Sequence, residues 1–388
     1  MSGLLRRSSA VIAILAVAGI VGVLLIGSTA PSPIGAQPDP AAPSGEVAPQ
    51  PASQPAPQST GQPAPSPRTG ADVDLGFQLS AHHSDRADQA IAVLDRLRRA
   101  GARWVRVDVG WQTLQPQGPG PFDQWYVELL DEVFTGARER GLRVIVSLWL
   151  SPSWATDGGS PYAPPDDVGD YADAIAAAAR RWGADVAAWE IWNEPNFPVF
   201  FEGADPATYT RLLCAAYPAV KRYDDAPVVF GGLMYNDDGW LRRAYEAGAR
   251  DCFDVLATHP YVGPSDAPPD TPAVGAVWRL THTPAVRAVM EEWGDGAKQI
   301  WITELGWSSG PDSAGNPWDR SVTPRQQAAY LGDAVRLVRA RYPYVGPIIW
   351  YRDIDGPSDT YQDGFGLLHP DLRPKPALRA LRDAARRR

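Results

Sequence analysis

Two glutamates close runs of β-branched and aromatic residues: Glu194 in WEIWNEPN, residues 189–196, and Glu304 in QIWITELGW, residues 299–307. The first run stops at Pro195, which cannot donate to a sheet, so a carboxylate is left standing at a strand's end. Two carboxylates facing across a cleft can divide one reaction between them. One protonates a leaving oxygen while the other attacks an anomeric carbon or activates water, which is the requirement for glycoside hydrolysis. A single glutamate at a strand end is as readily a salt bridge or a helix cap, so the reading rests on the pair. Glu190 shares the strand parity of Glu194 and reads as a buried ion-pair partner, not a third acid.

Such a pair needs strands to hold it. Eight runs read as strands: LGFQLS from Leu75, RWVRVDV from Arg103, RVIVSLWL from Arg143, VAAWEIW from Val186, PVVFGGL from Pro227, FDVLATH from Phe253, QIWITEL from Gln299 and PIIWYRD from Pro347. Amphipathic stretches separate them, with Ile91, Leu94 and Leu97 on one stripe and Tyr171, Ile175 and Ala178 on another. The alternation implies an α/β fold, a (β/α)8 TIM barrel over residues 71–388, one catalytic domain without an accessory β-sandwich. A doubly wound open sheet is the alternative, but no glycine-rich phosphate loop follows the first strand. In the barrel Glu194 ends the fourth strand and Glu304 the seventh, and residues there look at each other across the mouth.

The ends of the chain set the setting. In residues 1–30, Arg6 and Arg7 precede an apolar run from Ala10 to Ile26 and the small residues Ser28 and Ala30, which reads as an export signal. Cleavage after Ala30 and retention as a membrane anchor both stay open, and either places the remainder outside the cytoplasm, secreted or anchored. Residues 31–70 alternate Pro, Ala, Ser and Gln, a linker that cannot bury enough apolar surface to order itself. A formal charge of −9 argues against a nucleic-acid partner. The five histidines are scattered, with no HExxH and no paired-cysteine spacing, so neither a metal nor another cofactor is expected. Cys214 and Cys252 read either as a disulfide or as two buried thiols.

Asn193, Glu194 and Pro195 with Glu304 resemble the signature of clan A retaining glycoside hydrolases. The runs PPDDVGDYADAIAAAARRWG, WEIWNEPNFPVFFEGADPATYTRLL, FDVLATHPY and WITELGW look most like family 39 and its bacterial exopolysaccharide-hydrolase branch, with family 5 next. The resemblance implies that Glu194 is the general acid/base and Glu304 the nucleophile, with carboxyl groups about 5 to 5.5 Å apart. It also implies that Arg106 keeps the nucleophile ionised, that Tyr261 donates to it, that His259 contacts substrate or acid/base, and that Asn193 bonds the sugar's 2-hydroxyl. Trp350 resembles the platform beneath the cleaved sugar, followed by a cis bond to Tyr351. Trp307 and Trp149, together with Trp111 and Trp154, follow strand ends and are candidates for stacking further sugars.

Family 39 relatives carry an additional β-sandwich, whereas this sequence stops at Arg388, just after the eighth helix candidate. The expectation is therefore an open groove, internal cleavage of a polysaccharide or oligosaccharide, and a monomer. Two other readings compete: a cell-surface carbohydrate-binding barrel without turnover, and a transglycosylase that passes the same intermediate to another sugar.

Overall fold

The computed structural model describes residues 73–80, 87–313 and 315–387. Readings of the export signal and the Pro-rich linker lie outside them. Eight strands close into a barrel in chain order, each parallel to its neighbours. They are β1 (Leu75–Leu79), β2 (Trp104–Gly110), β3 (Arg143–Trp149), β4 (Val186–Asn193), β5 (Val228–Met234), β6 (Val255–His259), β7 (Ile300–Leu305) and β8 (Val345–Trp350). The helices are α1 (Ala87–Arg99), α2 (Trp111–Leu114), α3 (Gln124–Glu139), α4 (Val168–Trp182), α5 (Pro206–Lys221), α6 (Asp238–Glu246), α7 (Thr283–Glu292), α8 (Pro324–Arg341) and α9 (Pro376–Arg386). The TIM barrel is as the alternation of elements predicts, and no separate sandwich is present among the described residues.

Strands covered on both faces must be apolar on both, which is why they read as near-continuous hydrophobic runs. Their inward side chains, among them Trp104, Ile145, Ala188, Val229, Trp301 and Ile349, plug the lower barrel with an apolar layer. Their outward side chains pack against helix stripes such as Leu94 and Leu97 of α1 and Tyr171, Ile175 and Ala178 of α4. Asp123, Asp167, Asp205, Asp237 and Thr323 cap α3, α4, α5, α6 and α8 by accepting first-turn N–H groups, each worth about 1 kcal/mol.

Among the described residues the long connections follow strands, at 150–167, 260–282, 306–313 with 315–323, and 351–375, and so lie at one end of the barrel. This is the C-terminal face on which barrels of this kind do chemistry. Among the described residues no helix is long and apolar enough to cross a membrane.

Three sequence expectations change or resolve here. Cys214 of α5 and Cys252, just before β6, form a disulfide, which settles the open choice between bridge and free thiols. The cis peptide lies one residue later than expected, at Tyr351–Arg352. The Tyr351 N–H still bonds Leu305 of β7 at 3.0 Å, so the strand ladder runs one step further before the chain turns away. Trp111 is fully buried with its ring against Trp154 and Tyr171, so it is core and not a stacking surface.

Candidate active site

Strand alternation alone cannot bring Asn193 and Glu194 to one side. At the end of β4, Trp192 (φ 68°) and Glu194 (φ 47°) adopt left-handed backbone, a conformation costing roughly 1 to 2 kcal/mol for an L-residue. Trp192 turns outward to Tyr171 and Phe201, and its indole N–H bonds the Phe200 carbonyl at 2.7 Å. Asn193 and Glu194 consequently both reach the barrel mouth. A register irregularity between Ile302 and Leu305 does the same for Thr303 and Glu304 on β7.

Arg106 is the floor of the site. It has no exposure, and it donates to Glu190 at 2.5 Å, to Glu304 at 2.8 Å, to Gln78 at 2.9 Å and to Asn193 at 2.8 Å. Asp108 completes its surroundings at 3.0 Å. Burial by itself would lower this guanidinium, but Asp108, Glu190 and Glu304 carry it above its ordinary value, so it is a permanent cation. Glu190 is the buried ion-pair partner that its parity implies.

Glu304 is held on both oxygens, by Arg106 on Oε1 and by the Tyr261 hydroxyl on Oε2 at 2.8 Å. Burial pushes its pKa up to about 7 against the pull of Arg106, with Tyr261 acting in the same lowering direction. Among the described residues Glu194 makes no ion pair with Lys or Arg, and Arg106 acts on it only through its charge. The Oε1 of Glu194 lies 2.8 Å from Nδ1 of His259, and burial followed by the charge of Glu304 raises this carboxyl well above the usual carboxylate range. Burial, with Arg106 nearby, holds His259 well below the ordinary imidazole range, so the ring is neutral. One proton on the pair therefore belongs to Glu194, and the charge to Glu304.

Oxygen atoms of Glu194 and Glu304 and a ring nitrogen of His259 all lie within 4.8 Å of one another. Such a trio is also of metal-ligating type. A divalent ion there would have to share Glu304 with a guanidinium already 2.8 Å away, a repulsion of like charges in a buried site. The donor set fits a proton-transfer pair better than a metal centre.

Aromatic residues flank the two glutamates differently. Beside Glu304, Trp350 is stacked on Trp307, while Tyr261 meets Tyr351 and Phe365 edge-on. Trp307 is nearly fully buried with its N–H on the Ala267 carbonyl, which places it behind Trp350. Trp149 is buried against Tyr162 and Phe200. On the Glu194 side, Tyr235, Trp278 and Trp318 form a second group with ring centroids 5.4 to 6.4 Å apart, and Trp278 is 37% exposed.

Sequence reasoning did not single out Gln78, Asp108, Thr303 or Tyr235. Asp108 has the inward parity of Arg106, and Gln78 is a lone polar residue in an apolar strand paired in register with Arg106. Those signals were readable. Thr303 likewise has the inward parity of Trp301.

Residues 68–230 match the family described as Cellulase (glycosyl hydrolase family 5). A probable glucan 1,3-beta-glucosidase A of Aspergillus niger is 32% identical over 130 residues, 31% of this chain and 31% of that protein. A beta-xylosidase of Caldicellulosiruptor saccharolyticus is 25% identical over 276 residues, 65% of this chain and 54% of that protein. The chain thus spans about half or less of the length of these curated relatives. A family 39 glycoside hydrolase from Bacteroides cellulosilyticus WH2 superposes with a TM-score of 0.65 at 25% identity, covering 81% of this chain and 64% of that one.

Proposed function

We propose, from its likeness to clan A glycoside hydrolases, that the chain cleaves a polysaccharide or oligosaccharide by double displacement with retention of configuration. The observation that carries this reading is the buried carboxylate pair, with oxygens within 4.8 Å, one held by Arg106 and Tyr261 and the other facing a neutral histidine. That separation suits a nucleophile adjacent to its acid, since an inverting pair leaves about 6.5 to 9.5 Å for a water.

Glu304 attacks the anomeric carbon while Glu194 passes its proton to the glycosidic oxygen, so the C–O bond breaks to a neutral alcohol and a glycosyl ester forms on Glu304. Glu194, now a carboxylate, takes a proton from a water that attacks the same carbon and releases Glu304. The Oδ1 of Asn193 is occupied by Arg106, so its amide N–H remains to serve the sugar's 2-hydroxyl.

The aromatic group of Tyr235, Trp278 and Trp318 beside Glu194 supports sugar contacts on the leaving-group side, and with them internal cleavage. The relatives' names make β-linked glucans and xylans the first substrates to try. Action outside the cytoplasm, with the N-terminal segment as exporter or anchor, is supported by the apolar run Ala10 to Ile26 and by the Cys214–Cys252 bridge, which suits an oxidising compartment.

Glu304→Gln and Glu194→Gln, assayed on these polysaccharides and on aryl glycosides, test the reading. Glu304→Gln should abolish turnover on both. Glu194→Gln should lose about 10²- to 10⁴-fold on the polysaccharide but far less on an aryl glycoside, whose leaving group needs no acid. Equal background release by all three proteins, with binding retained, would instead mean a binding barrel, and elongated products would mean a transglycosylase.

A further inference from the structure

We propose that Thr303 and Glu190 act as positioning residues that fix the ring proton of His259 on Nε2, leaving Nδ1 as a bare acceptor that keeps the proton on Glu194. This deepens the role of Glu194 as acid/base and rests on that reading. The groups form one chain from β4 across β7 and β6 back to β4. The Thr303 hydroxyl donates to Oε1 of Glu190 at 2.8 Å, Nε2 of His259 stands 3.0 Å from the Thr303 Oγ1, and Nδ1 stands 2.8 Å from Glu194.

A hydroxyl has one proton, so its direction sets every other. Glu190 already accepts from Arg106 on Oε2 at 2.5 Å and from the Gly232 N–H on Oε1 at 3.1 Å, the pattern of a carboxylate. Thr303 therefore gives its proton to Glu190 and can only accept from His259. A neutral ring that donates through Nε2 has a lone pair on Nδ1, and Glu194 satisfies that lone pair only as a carboxylic acid.

The reverse direction would neutralise Glu190 against Arg106 and put a negative charge on Glu194 close to that of Glu304. Both changes oppose Coulomb's law in a dry site. The titratable groups around the ring are Glu190 and Glu194 on β4, Glu304 on β7 with Oε2 3.8 Å from Nδ1, and Arg106 on β2. Tyr235 is hydrogen-bonded to the His259 backbone, and Tyr261 lies two residues beyond. Gly232 keeps the seat open, since a Cβ there would lie 2.0 Å from Nε2.

The chain also serves the second half of the reaction. Once Glu194 has given up its proton, its carboxylate faces the Nδ1 lone pair, or else the ring turns its other nitrogen's lone pair on Thr303. Either mismatch is relieved when Glu194 takes a proton from water, so the array strengthens it as a base.

The test is Thr303→Val against Thr303→Ser in the purified enzyme. Nitrogen-15 NMR of the histidines, with His259 identified by its absence from His259→Asn, should show the proton on Nε2 in wild type and Thr303→Ser. In Thr303→Val it should move to Nδ1 or be shared, and the alkaline limb of the pH profile on an aryl glycoside should fall by about one unit while the acid limb stays. A wild-type ring protonated on Nδ1, or a valine variant unchanged in both tautomer and profile, overturns the proposal. The wild-type spectrum needs neither a substrate nor a stable variant. Failure there with hydrolysis intact removes only the proton chain, whereas correct spectra without hydrolysis removes only the assigned activity.

Discussion

Replacing Tyr261 by phenylalanine removes one hydroxyl and nothing else from the nucleophile's surroundings. That hydroxyl donates to Oε2 of Glu304 at 2.8 Å, while Arg106 remains on Oε1. A hydrogen bond to a charged group contributes about 1.5 to 3 kcal/mol, and one pKa unit corresponds to about 1.4 kcal/mol, so the loss should raise Glu304 by roughly one to two units. Glu304 starts at about 7 because burial outweighs the pull of Arg106. Activity requires Glu304 ionised and Glu194 protonated, so it rises through the first pKa and falls through the second. Tyr261→Phe should therefore move the acid limb of kcat/KM to roughly pH 8 to 9, leave the alkaline limb in place and lower the maximum as the window narrows. The assay is kcat/KM on an aryl glycoside from about pH 4 to about pH 10. An acid limb that stays put, or moves toward lower pH, would refute the assignment of Tyr261 as a stabiliser of the Glu304 charge.

Stability should carry the same signature. Burial raises Glu304 from 4.5 to about 7 and lifts Glu194 well above the ordinary carboxylate range, so the folded state binds these protons more tightly than the unfolded chain. The stabilisation from Glu304 is complete below about pH 4.5 and is lost as pH climbs through about 7, and that from Glu194 is lost as pH rises through its own raised pKa. Glu304→Gln and Glu194→Gln should accordingly gain melting temperature over wild type as pH rises, by roughly 3 to 5 °C at about pH 8, read by calorimetry. Reducing the Cys214–Cys252 bridge, whose cysteines are 38 residues apart, removes a constraint worth about 4 kcal/mol on the unfolded chain, and the melting point should drop by roughly 6 °C on treatment with dithiothreitol.

Much of this could be read from residue order because barrel strands announce themselves. Runs such as RVIVSLWL and VAAWEIW are apolar on both faces, as a strand covered by helices outside and a plug inside must be. Glu190 and Glu194 followed from types and parity, and Arg106 from the family resemblance. Parity failed where the backbone does. Simple alternation would turn Asn193 away from the site and seat Trp192 in it, and only the left-handed backbone at 192 and 194 reverses them. The same holds for Glu304, which alternation from the inward Trp301 would turn away and which reaches the site where β7 slips register against β8. The tryptophans were over-read: a strand-end position does not distinguish Trp111, sealed against Tyr171, from a half-exposed Trp278. That distinction depends on loop paths, which no local pattern in the sequence encodes.

The central claim, that Glu304 forms a covalent bond to the sugar, is tested most directly by the stereochemistry of the first-formed product. Proton NMR of the anomeric signal, recorded before mutarotation sets in, follows it on whichever glycoside the enzyme turns over. Double displacement by Glu304 and Glu194 predicts that the first anomer has the configuration of the substrate. A first-formed anomer of inverted configuration would contradict it, because Glu304 would then have activated water instead of attacking the sugar.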